Sequence, residues 1–268
     1  MRPIAVFPVH DPGGVVLSHL EAAIPGLKTL FSEAIVGLTA ETATSQIEYT
    51  ARLMGDHFFT VHTHGGPMPV GDQFRDLYTR ASTDCAPERQ LHLCYPDRLV
   101  YALNSQYRDV IKTDIRASQT AGVPLLFQRS QEAWRSHPDN YRRLEGIVTQ
   151  VGQLLFGQTL DYAWCHLVVS AAQLASILPK TSRHDMSFVA EIVVQLRDQI
   201  VTRDVDWLAW EDPFIYGRDP QELKTEQEAS PAEVRKRLGY VLPMLDVLAQ
   251  ATVGQRDQQP FAADARQS

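Results

Sequence analysis

The chain has 268 residues, of which 44% are hydrophobic and 21% are charged, a composition typical of an ordinary globular protein. This length suits one large α/β domain or two small ones. The formal net charge of -7 argues against nucleic acid as the main partner, because phosphate binding requires a basic surface. There is no run of about 18 apolar residues, so the sequence predicts no membrane span.

The N-terminal residues and the cysteines indicate the cellular compartment of the protein. The opening MRPIAVFPVHDPGG lacks the long apolar core and the small-residue cleavage site of a signal peptide. The three cysteines, Cys85, Cys94 and Cys165, are odd in number and widely spaced. They indicate a reducing compartment without a disulfide framework, so we expect a cytoplasmic protein. No pattern in the sequence indicates an oligomeric state.

Short apolar runs alternate with helical patterns in the first half of the chain. The predicted strands cover residues 4–9, 33–39, 57–63, 90–95 and 124–129. The predicted helices cover residues 15–24, 40–55, 70–82, 98–118 and 131–156, and the first should end before Pro25. Because these strands are continuous apolar runs, both of their faces should be buried. The alternation predicts an α/β fold with a mainly parallel, Rossmann-like sheet and helices on both faces.

The second half is less regular. Residues 164–178 predict a strand leading into a helix, and 187–201 look helical, although their valines and isoleucines leave a strand open. Residues 205–213 predict a strand. A helix over 230–251 begins with Ser230 as N-cap, Pro231 in the first turn and Glu233 closing a capping box. We predict a single domain over 1–251 and a disordered polar tail over 252–268.

Several common enzyme motifs are absent from the sequence. No G-x-G-x-x-G follows the first strand, which argues against the usual dinucleotide-binding fold. A P-loop, a G-x-S-x-G nucleophile elbow and a C-x-x-C pair are also missing. Function must therefore be sought at the carboxyl ends of the predicted strands, where open α/β sheets bind their ligands.

The loop HDPGG, residues 10–14, follows the first strand. Its backbone N–H groups could approach a ligand, or it could be an Asx-type turn leading into a helix. Asp97 and Arg98 follow the fourth strand. Asp97 could hold a metal-bound diphosphate or a sugar hydroxyl, and it could also cap the next helix.

His62 and His64 end the third strand as a His-x-His pair, which can bind a divalent metal because alternate strand residues face the same side. A metal site needs further ligands, and no spacing selects one. The available groups are His10, Asp11, His92, His166, His184 and Asp185. The alternative is that both histidines are half-exposed loop residues.

Two later segments carry charged groups of interest. Residues 127–143 collect cations that could bind a phosphate or could form an exposed basic helix face: Arg129, Arg135, His137, Arg142 and Arg143. Asp185 and Glu191 are late carboxylates. Either could act as a general base on an acceptor hydroxyl, although such residues are more often capping or surface groups.

In order and spacing, these segments resemble bacterial proteins with a glycosyltransferase-A-like fold, in the nucleotide-diphospho-sugar transferase superfamily. The resemblance runs patchily from about residue 4 to about residue 215. It is carried by VFPVHDPGG, VGDQFRDLYTRAS, LCYPDRLVYAL, LLFQRSQEAWRSHPDNYRRLE and DVDWLAWEDP.

The resemblance implies a nucleotide-sugar-binding half over about 1–130 and an acceptor half over about 131–251. The implied nucleotide-sugar ligands are His10, Asp11, Gly13, Gly14, Asp97, Arg98 and Arg129. Asp185 or Glu191 would be the catalytic base. Asp97 would also hold Mg²⁺ or Mn²⁺. The family pattern Asp-x-Asp has Tyr95 in place of its first acid here, and a single carboxylate holds such an ion poorly without further ligands.

Three hypotheses follow. The first is a glycosyltransferase that moves a sugar from a nucleotide-sugar to an unknown acceptor. The second, kept open by the altered Asp-x-Asp, is a non-catalytic relative that binds a nucleotide or a partner. The third is a metallohydrolase built on His62 and His64, in which a metal lowers the pKa of a bound water.

Overall fold

The computed structural model describes residues 1–119 and 122–256, and a single seven-stranded sheet runs through both halves of the chain. Its strands are β1 Ile4–Val9, β2 Glu33–Leu38, β3 Phe59–Thr63, β4 Gln90–Cys94, β5 Leu125–Arg129, β6 His166–Ser170 and β7 Val201–Val205. The first helices are α1 Val15–Leu30, α2 Ala40–Ser45, α3 Ile47–Gly55, α4 Val70–Asp84, α5 Pro96–Asn104, α6 Arg108–Ser118 and α7 Gln131–Ser136. They are followed by α8 Asp139–Phe156, α9 Ala171–Ile177, α10 Phe188–Leu196, α11 Asp212–Ile215, α12 Pro220–Ala229 and α13 Pro231–Arg256.

The strand order is β3-β2-β1-β4-β6-β5-β7. Strand β6 is antiparallel to both of its neighbours, β4 and β5, and the remaining pairs are parallel. Six strands therefore run in one direction and only β6 opposes them. The predicted mainly parallel α/β sheet and its first five strands are confirmed.

Two hydrophobic cores lie on opposite faces of the sheet, as the alternation along β1 shows. Ile4 and Val6 join the core under α4, α9, α10 and α13, whereas Phe7 and Val9 join the core under α1 and α5. Successive strand residues point to opposite faces, so a strand that is apolar throughout is covered on both sides. This arrangement leaves the strand ends as the place for polar groups.

The first helix does not stop at Pro25 as predicted. It continues to Leu30 with Pro25 inside it. The apolar face extends beyond the proline through Leu27 and Leu30, both fully buried. Their burial offsets the hydrogen bond that proline cannot donate.

Three helices predicted as continuous are each two helices. Gln46 separates α2 from α3, and residues 105–107 separate α5 from α6. The predicted helix over 131–156 breaks at His137, whose backbone is extended because Pro138 follows it. Each break changes the direction of the chain, which a periodicity of apolar residues does not reveal.

The strand predicted over 205–213 is wrong. Strand β7 is Val201–Val205, and a 3₁₀ turn follows it at Asp206–Leu208. This edge strand is mostly exposed and carries Thr, Arg and Asp, so it lacks an apolar signal. The region 187–201 is helical only over α10, and α12 was not predicted.

The last helix extends past its predicted end. Glu233 N donates to the Ser230 hydroxyl at 3.3 Å, as expected of a cap, and α13 continues to Arg256. Residues 252–256, predicted as tail, are therefore helical, because Gly254 weakens a helix without ending it. The rest of that predicted tail, 257–268, lies outside the described residues. Within the described part of the chain, every helix is too short or too polar to cross a membrane.

Candidate functional site

A pocket of about 490 Å³ lies at the carboxyl ends of β4 and β5. Tyr95, Asp97 and Arg98 follow β4, and Arg129 is the last residue of β5. Because β6 runs in the opposite direction, the chain that enters it adds Cys165 at the same edge. Helices α8, α10, α11, α12 and α13 contribute most of the remaining wall. The sheet topology thus brings together three of the predicted binding residues.

Asp97 is the second residue of α5 and is not its N-cap. The cap position belongs to Tyr95, which makes no side-chain cap bond, and Asp97 Oδ1 accepts from the Arg98 backbone N–H at 2.8 Å. Burial raises the pKa of Asp97, the charge of Arg98 opposes this, and the nearby Asp212 adds to it. The carboxylate therefore lines the pocket close to a second acid.

Arg98 connects the end of β4 to the segment after β7. Its guanidinium forms an ion pair with Glu211 and donates to the Ala209 carbonyl at 3.0 Å. Burial raises the pKa of Glu211 to about 8; Arg98 works against this shift, and the charges of Asp97 and Asp212 increase it. A buried acid with such a shifted pKa inside a cleft is a common mark of a functional site.

Arg129 is already saturated with carboxylates. Its Nε and Nη2 donate to the two oxygens of Asp161 at 2.8 Å, and its Nη1 donates to Glu145 at 2.7 Å. Its guanidinium also lies 3.6 Å from the centroid of the Trp134 ring. Arg237 of α13 donates to the other oxygen of Glu145 at 2.7 Å. Arg129 therefore joins β5 to α8 and α13, and its predicted role as a nucleotide-sugar ligand stays a prediction.

The pocket walls carry acidic and basic side chains in nearly equal numbers. The lining has five carboxylates, Asp97, Glu145, Glu211, Asp212 and Glu233, and four cations, Arg98, Arg129, Lys236 and Arg237. Glu233 accepts from the Tyr141 hydroxyl at 2.8 Å, while Lys236 lies 3.8 Å from Glu233 with about half of its side chain exposed. Each of the four cations already has a carboxylate beside it, so a diphosphate would fit this pocket best together with an added cation.

A divalent ion would not be held by the protein alone. Within residues 1–119 and 122–256, no group of three or more His, Cys, Asp and Glu side chains is arranged to bind a metal. Asp97 and Asp212 are two carboxylates close enough to shift a pKa, and Glu211 is occupied by Arg98. Mg²⁺ is often bound by one or two carboxylates together with substrate phosphates. Asp97 and Asp212 could therefore supply only the carboxylates of such a site, and the phosphates would have to come from a substrate.

The loop after β1 is organised as a helix start. Both oxygens of the buried Asp11 are used: Oδ1 accepts from Val15 N at 3.1 Å and Oδ2 from Leu17 N at 2.8 Å. Gly14 has a left-handed φ of 73°, which explains the glycine at that position. These contacts agree with the Asx-type alternative. They use the carboxylate that was predicted to bind a ligand.

None of His10, Asp11, Gly13 and Gly14 lines the pocket. His10 is exposed, and its Nδ1 lies 3.1 Å from the Thr39 hydroxyl. The charge of Asp11 nevertheless contributes to the raised pKa of Tyr216, which lines the pocket, after burial and the charges of Asp212, Asp97 and Glu211. The predicted binding roles of these four residues stay predictions.

The two acids predicted as catalytic bases lie elsewhere. Glu191 accepts from the backbone N–H groups of Ser182 and Arg183, each at 2.9 Å. Asp185 accepts from the backbone and hydroxyl of Ser187 at 2.8 and 2.6 Å. Neither lines the pocket. Both carboxylates organise the turn before α10, and a catalytic role for either one stays a prediction.

Glu211 and Asp212 are the pocket acids that the sequence reasoning did not assign. Two adjacent acids shortly after a late strand were an available signal. The strand predicted over 205–213 placed them inside or at the end of a strand, whereas they begin the short helix α11. With the strand correctly ended at Val205, they fall at the carboxyl edge of the sheet beside Asp97.

His62 and His64 do not gather the ligands that a hydrolase needs. His64 is buried, and its Nδ1 lies 3.5 Å from Asp76, while the pKa of His64 is lowered, first by burial. No third His, Cys, Asp or Glu completes a metal-binding group with them in the described parts of the chain. His92 and His166, two of the other predicted ligands, are buried in the sheet and lie 2.9 Å from each other.

Comparison with known proteins identifies the fold. No family model and no curated protein sequence matches the chain. The glucosyl-3-phosphoglycerate synthase of Mycobacterium tuberculosis is structurally similar in its complex with Mn²⁺, UDP and phosphoglyceric acid. That match has a TM-score of 0.52 and 13% identity, and covers 92% of this chain and 78% of the other.

Two further structures of the same enzyme agree. Its complex with Mn²⁺, UDP-glucose and phosphoglyceric acid matches with a TM-score of 0.50 at 12% identity, covering 92% of this chain and 80% of the other. Its complex with Mg²⁺ and UDP gives the same TM-score, identity and coverage. The chain therefore has the glycosyltransferase-A type of fold, as the resemblance implied.

Proposed function

We propose that the protein is a glycosyltransferase that binds a nucleotide-sugar in the pocket at the ends of β4 and β5. One observation carries the proposal: Asp97 and Arg98 meet Glu211 and Asp212 at the carboxyl edge of the sheet. In open α/β folds this edge is where ligands bind. One enzyme with a similar fold was solved in complexes that contain Mn²⁺ with UDP or with UDP-glucose.

The acids suggest how the donor is held. Asp97, near Asp212, would contact a divalent ion that is completed by the diphosphate of the donor, since the protein carboxylates alone are too few. The ion would neutralise phosphate charge. Arg98 keeps Glu211 in place through their ion pair. The donor diphosphate then adds the oxygens that a metal site lacks here.

Transfer to an acceptor hydroxyl also needs a group that removes its proton. We place this base at Glu211, which lines the pocket, in preference to Asp185 and Glu191, which do not. A carboxylate whose pKa is raised to about 8 is a stronger base than an ordinary one, and the deprotonated form that can act as the base becomes abundant as the pH rises toward 8. The free cysteines Cys85, Cys94 and Cys165 fit the cytoplasm as the proposed location.

The test is a thermal-shift screen with UDP-, GDP-, dTDP- and CDP-sugars, with and without Mn²⁺, followed by calorimetric titration. A ligand at about 100 times its Kd should stabilise the fold by about 2.7 kcal/mol. Asp97→Asn should weaken binding about tenfold, or about 1.4 kcal/mol. Asp185→Asn is the matched control and should bind as the wild type does. Failure of every nucleotide-sugar to bind would overturn the proposal.

A second candidate function rests on Tyr95 and Pro96, which occupy the first two positions of the Asp-x-Asp pattern. A protein that lost the first acid could bind a nucleotide-sugar without transferring the sugar. The transferase and the non-catalytic relative differ in whether free nucleoside diphosphate is released from the bound donor during incubation. Turnover that is lost in Glu211→Gln supports the transferase, and binding without any turnover supports the non-catalytic relative.

A further inference from the structure

A second cleft, of about 430 Å³, lies on the other side of α11 from the pocket. Three of its lining rings touch in series: the centroids of Tyr101 and Tyr107 are 6.0 Å apart, and those of Tyr101 and Phe214 are 5.5 Å apart. Trp210 and Pro213 continue the same wall. We call this surface the aromatic cleft. Its volume lies within the range of roughly 300–1,000 Å³ of small-molecule sites.

The aromatic cleft adjoins the pocket through shared elements. Asp97 lines the pocket and Tyr101 lines the cleft, and the two are one helical turn apart on α5, at positions i and i+4. Along α11, Asp212 faces the pocket, while Phe214 faces the cleft. The charge of Glu211 reaches the Tyr101 hydroxyl, where it adds to the effect of burial and of Tyr107 in raising that pKa.

The polar groups of the aromatic cleft are neutral, with one exception. The described lining residues include no acid, and their single cation, Arg218, pairs with Glu226 at 3.0 Å on the surface. Gln106 and the two tyrosines offer amide and hydroxyl groups. Trp210 is only 6% exposed, and its indole N–H lacks a hydrogen-bond partner among the described residues.

Aromatic faces combined with neutral donors suit a particular ligand. A sugar ring presents C–H groups, which carry partial positive charge, to the negative face of an aromatic ring. Its hydroxyls accept and donate hydrogen bonds at the edge. A phosphate or carboxylate would find only the paired Arg218, and a purely apolar ligand would make no use of the Gln106 amide and the two tyrosine hydroxyls.

We propose that the aromatic cleft binds a sugar ring of a neutral carbohydrate acceptor, next to the pocket that holds the donor. The role of this carbohydrate as an acceptor rests on the proposed function. The binding site itself does not require it. The cleft then sets the acceptor class through Tyr101, Phe214 and Trp210. The reacting end of the same acceptor would extend past α11 to the donor in the pocket.

The test uses the purified full chain and saturation-transfer NMR with maltose, cellobiose, lactose, chitobiose and mannobiose at millimolar concentration. At least one disaccharide should receive saturation from the wild type. Tyr101→Ala and Phe214→Ala should each weaken its binding about tenfold, whereas Tyr101→Phe should keep most of it because the ring remains. Tyr49→Ala, which removes a tyrosine outside the cleft, is the matched control, and circular dichroism checks that each variant is folded.

The two proposals fail separately. Asp97→Asn should weaken UDP-glucose binding and leave the disaccharide unaffected, and Tyr101→Ala should do the reverse. If no disaccharide binds, or if Tyr101→Ala and Phe214→Ala bind it as the wild type does, the cleft is not a carbohydrate site even when UDP-glucose binds. Binding of a polyproline peptide in place of every disaccharide would also overturn the inference, since it would identify a protein ligand. Disaccharide binding without nucleotide-sugar binding would keep the cleft and remove the donor site.

Discussion

Arg98 Nη1 lies 3.1 Å from His137 Nε2, which determines the protonation of this buried imidazole. Because a guanidinium only donates, His137 must accept at Nε2 and carry its proton on Nδ1. That nitrogen lies 2.8 Å from the Ala133 carbonyl, which can only accept. The neutral tautomer is therefore selected from both sides, and burial followed by Arg98 and Arg129 lowers the pKa of His137 well below its usual value.

His137→Phe should therefore destabilise the fold more than His137→Gln. The glutamine amide oxygen can replace Nε2 as an acceptor, whereas phenylalanine leaves a donor of the buried Arg98 unpaired, at about 1–3 kcal/mol. Urea denaturation measures the difference. Equal losses of unfolding free energy for the two variants would show that packing, and not the hydrogen bond, is what His137 contributes.

Stability should fall as the solution becomes mildly acidic, because His92 and His166 are buried and neutral in the sheet. Burial lowers the pKa of His92 to about 3 and that of His166 well below its usual value, to which the charge of His92 contributes. The unfolded chain binds these protons near pH 6.5, so their contribution is present above that pH and is lost below it. Each such histidine steepens the loss by about 1.4 kcal/mol per pH unit.

The measurement is the slope of unfolding free energy against pH between 6.5 and 5. Replacing His166 by glutamine should make the slope shallower by about 1.4 kcal/mol per pH unit, whatever it does to the absolute stability. His57→Gln, at an exposed histidine, should leave the slope unchanged. A slope that is insensitive to His166 would mean that this imidazole is protonated in the folded protein.

Glu145 should be among the costliest carboxylates to remove. It is 7% exposed and accepts from Arg129 and from Arg237, each at 2.7 Å. Glu145→Ala leaves two largely buried guanidinium groups short of a partner, which should cost about 3–5 kcal/mol. The control is Glu132→Ala at an exposed pair 3.5 Å from Arg135, which should change stability by about 0.5 kcal/mol or less. Similar losses of unfolding free energy in the two variants would contradict a stabilising role for the buried ion pairs of Glu145.

Two glycines in α8 should respond oppositely to alanine. A Cβ at Gly152 would lie 2.1 Å from the ring of the buried Tyr162, whereas a Cβ at Gly146 meets nothing within 4 Å. Gly146→Ala should stabilise the fold by about 0.5–1 kcal/mol, since glycine is unfavourable inside a helix. Gly152→Ala should destabilise it by about 1–3 kcal/mol. Thermal unfolding of both variants measures these changes. Stabilisation by Gly152→Ala would show that the Tyr162 ring can move away from the added methyl group.

The parts of the fold that the sequence predicts are those with a local signal. Strand β1 is apolar throughout, and β2 and β4 are apolar except for Glu33, Gln90 and His92. Because both faces of these strands are covered, a short window identifies them. Strand β7 lies at the sheet edge with the polar sequence VTRDV, and no such window finds it. The antiparallel insertion of β6 between β4 and β5 depends on pairing between distant residues, which periodicity does not encode.

In the candidate site, too, residues with a local sequence signal were predicted and residues placed by distant parts of the chain were not. Asp97 and Arg98 follow from the rule that ligands bind at the carboxyl ends of strands, and Arg129 was predicted as one of several cations that could bind a phosphate. All three line the pocket. Glu211 was missed because its position depends on where β7 ends. The engagement of Arg129 with Asp161 and Glu145 was hidden because those partners come from the loop before β6 and from α8.

The place of β6 in the sheet has a consequence for synthesis on the ribosome. When residues 1–130 have emerged, β3, β2, β1 and β4 can pair, but β5 pairs only with β6 and β7. The free edge of β4 and the strand β5, whose first three residues are apolar, stay unpaired until residues 166–205 are made, and unpaired strands of this kind invite aggregation. Limited proteolysis of ribosome-arrested chains should show protection of β5 only in chains that expose β6. The growing chain therefore holds a half-built sheet, with its aggregation-prone edge open, until three quarters of the protein have been made.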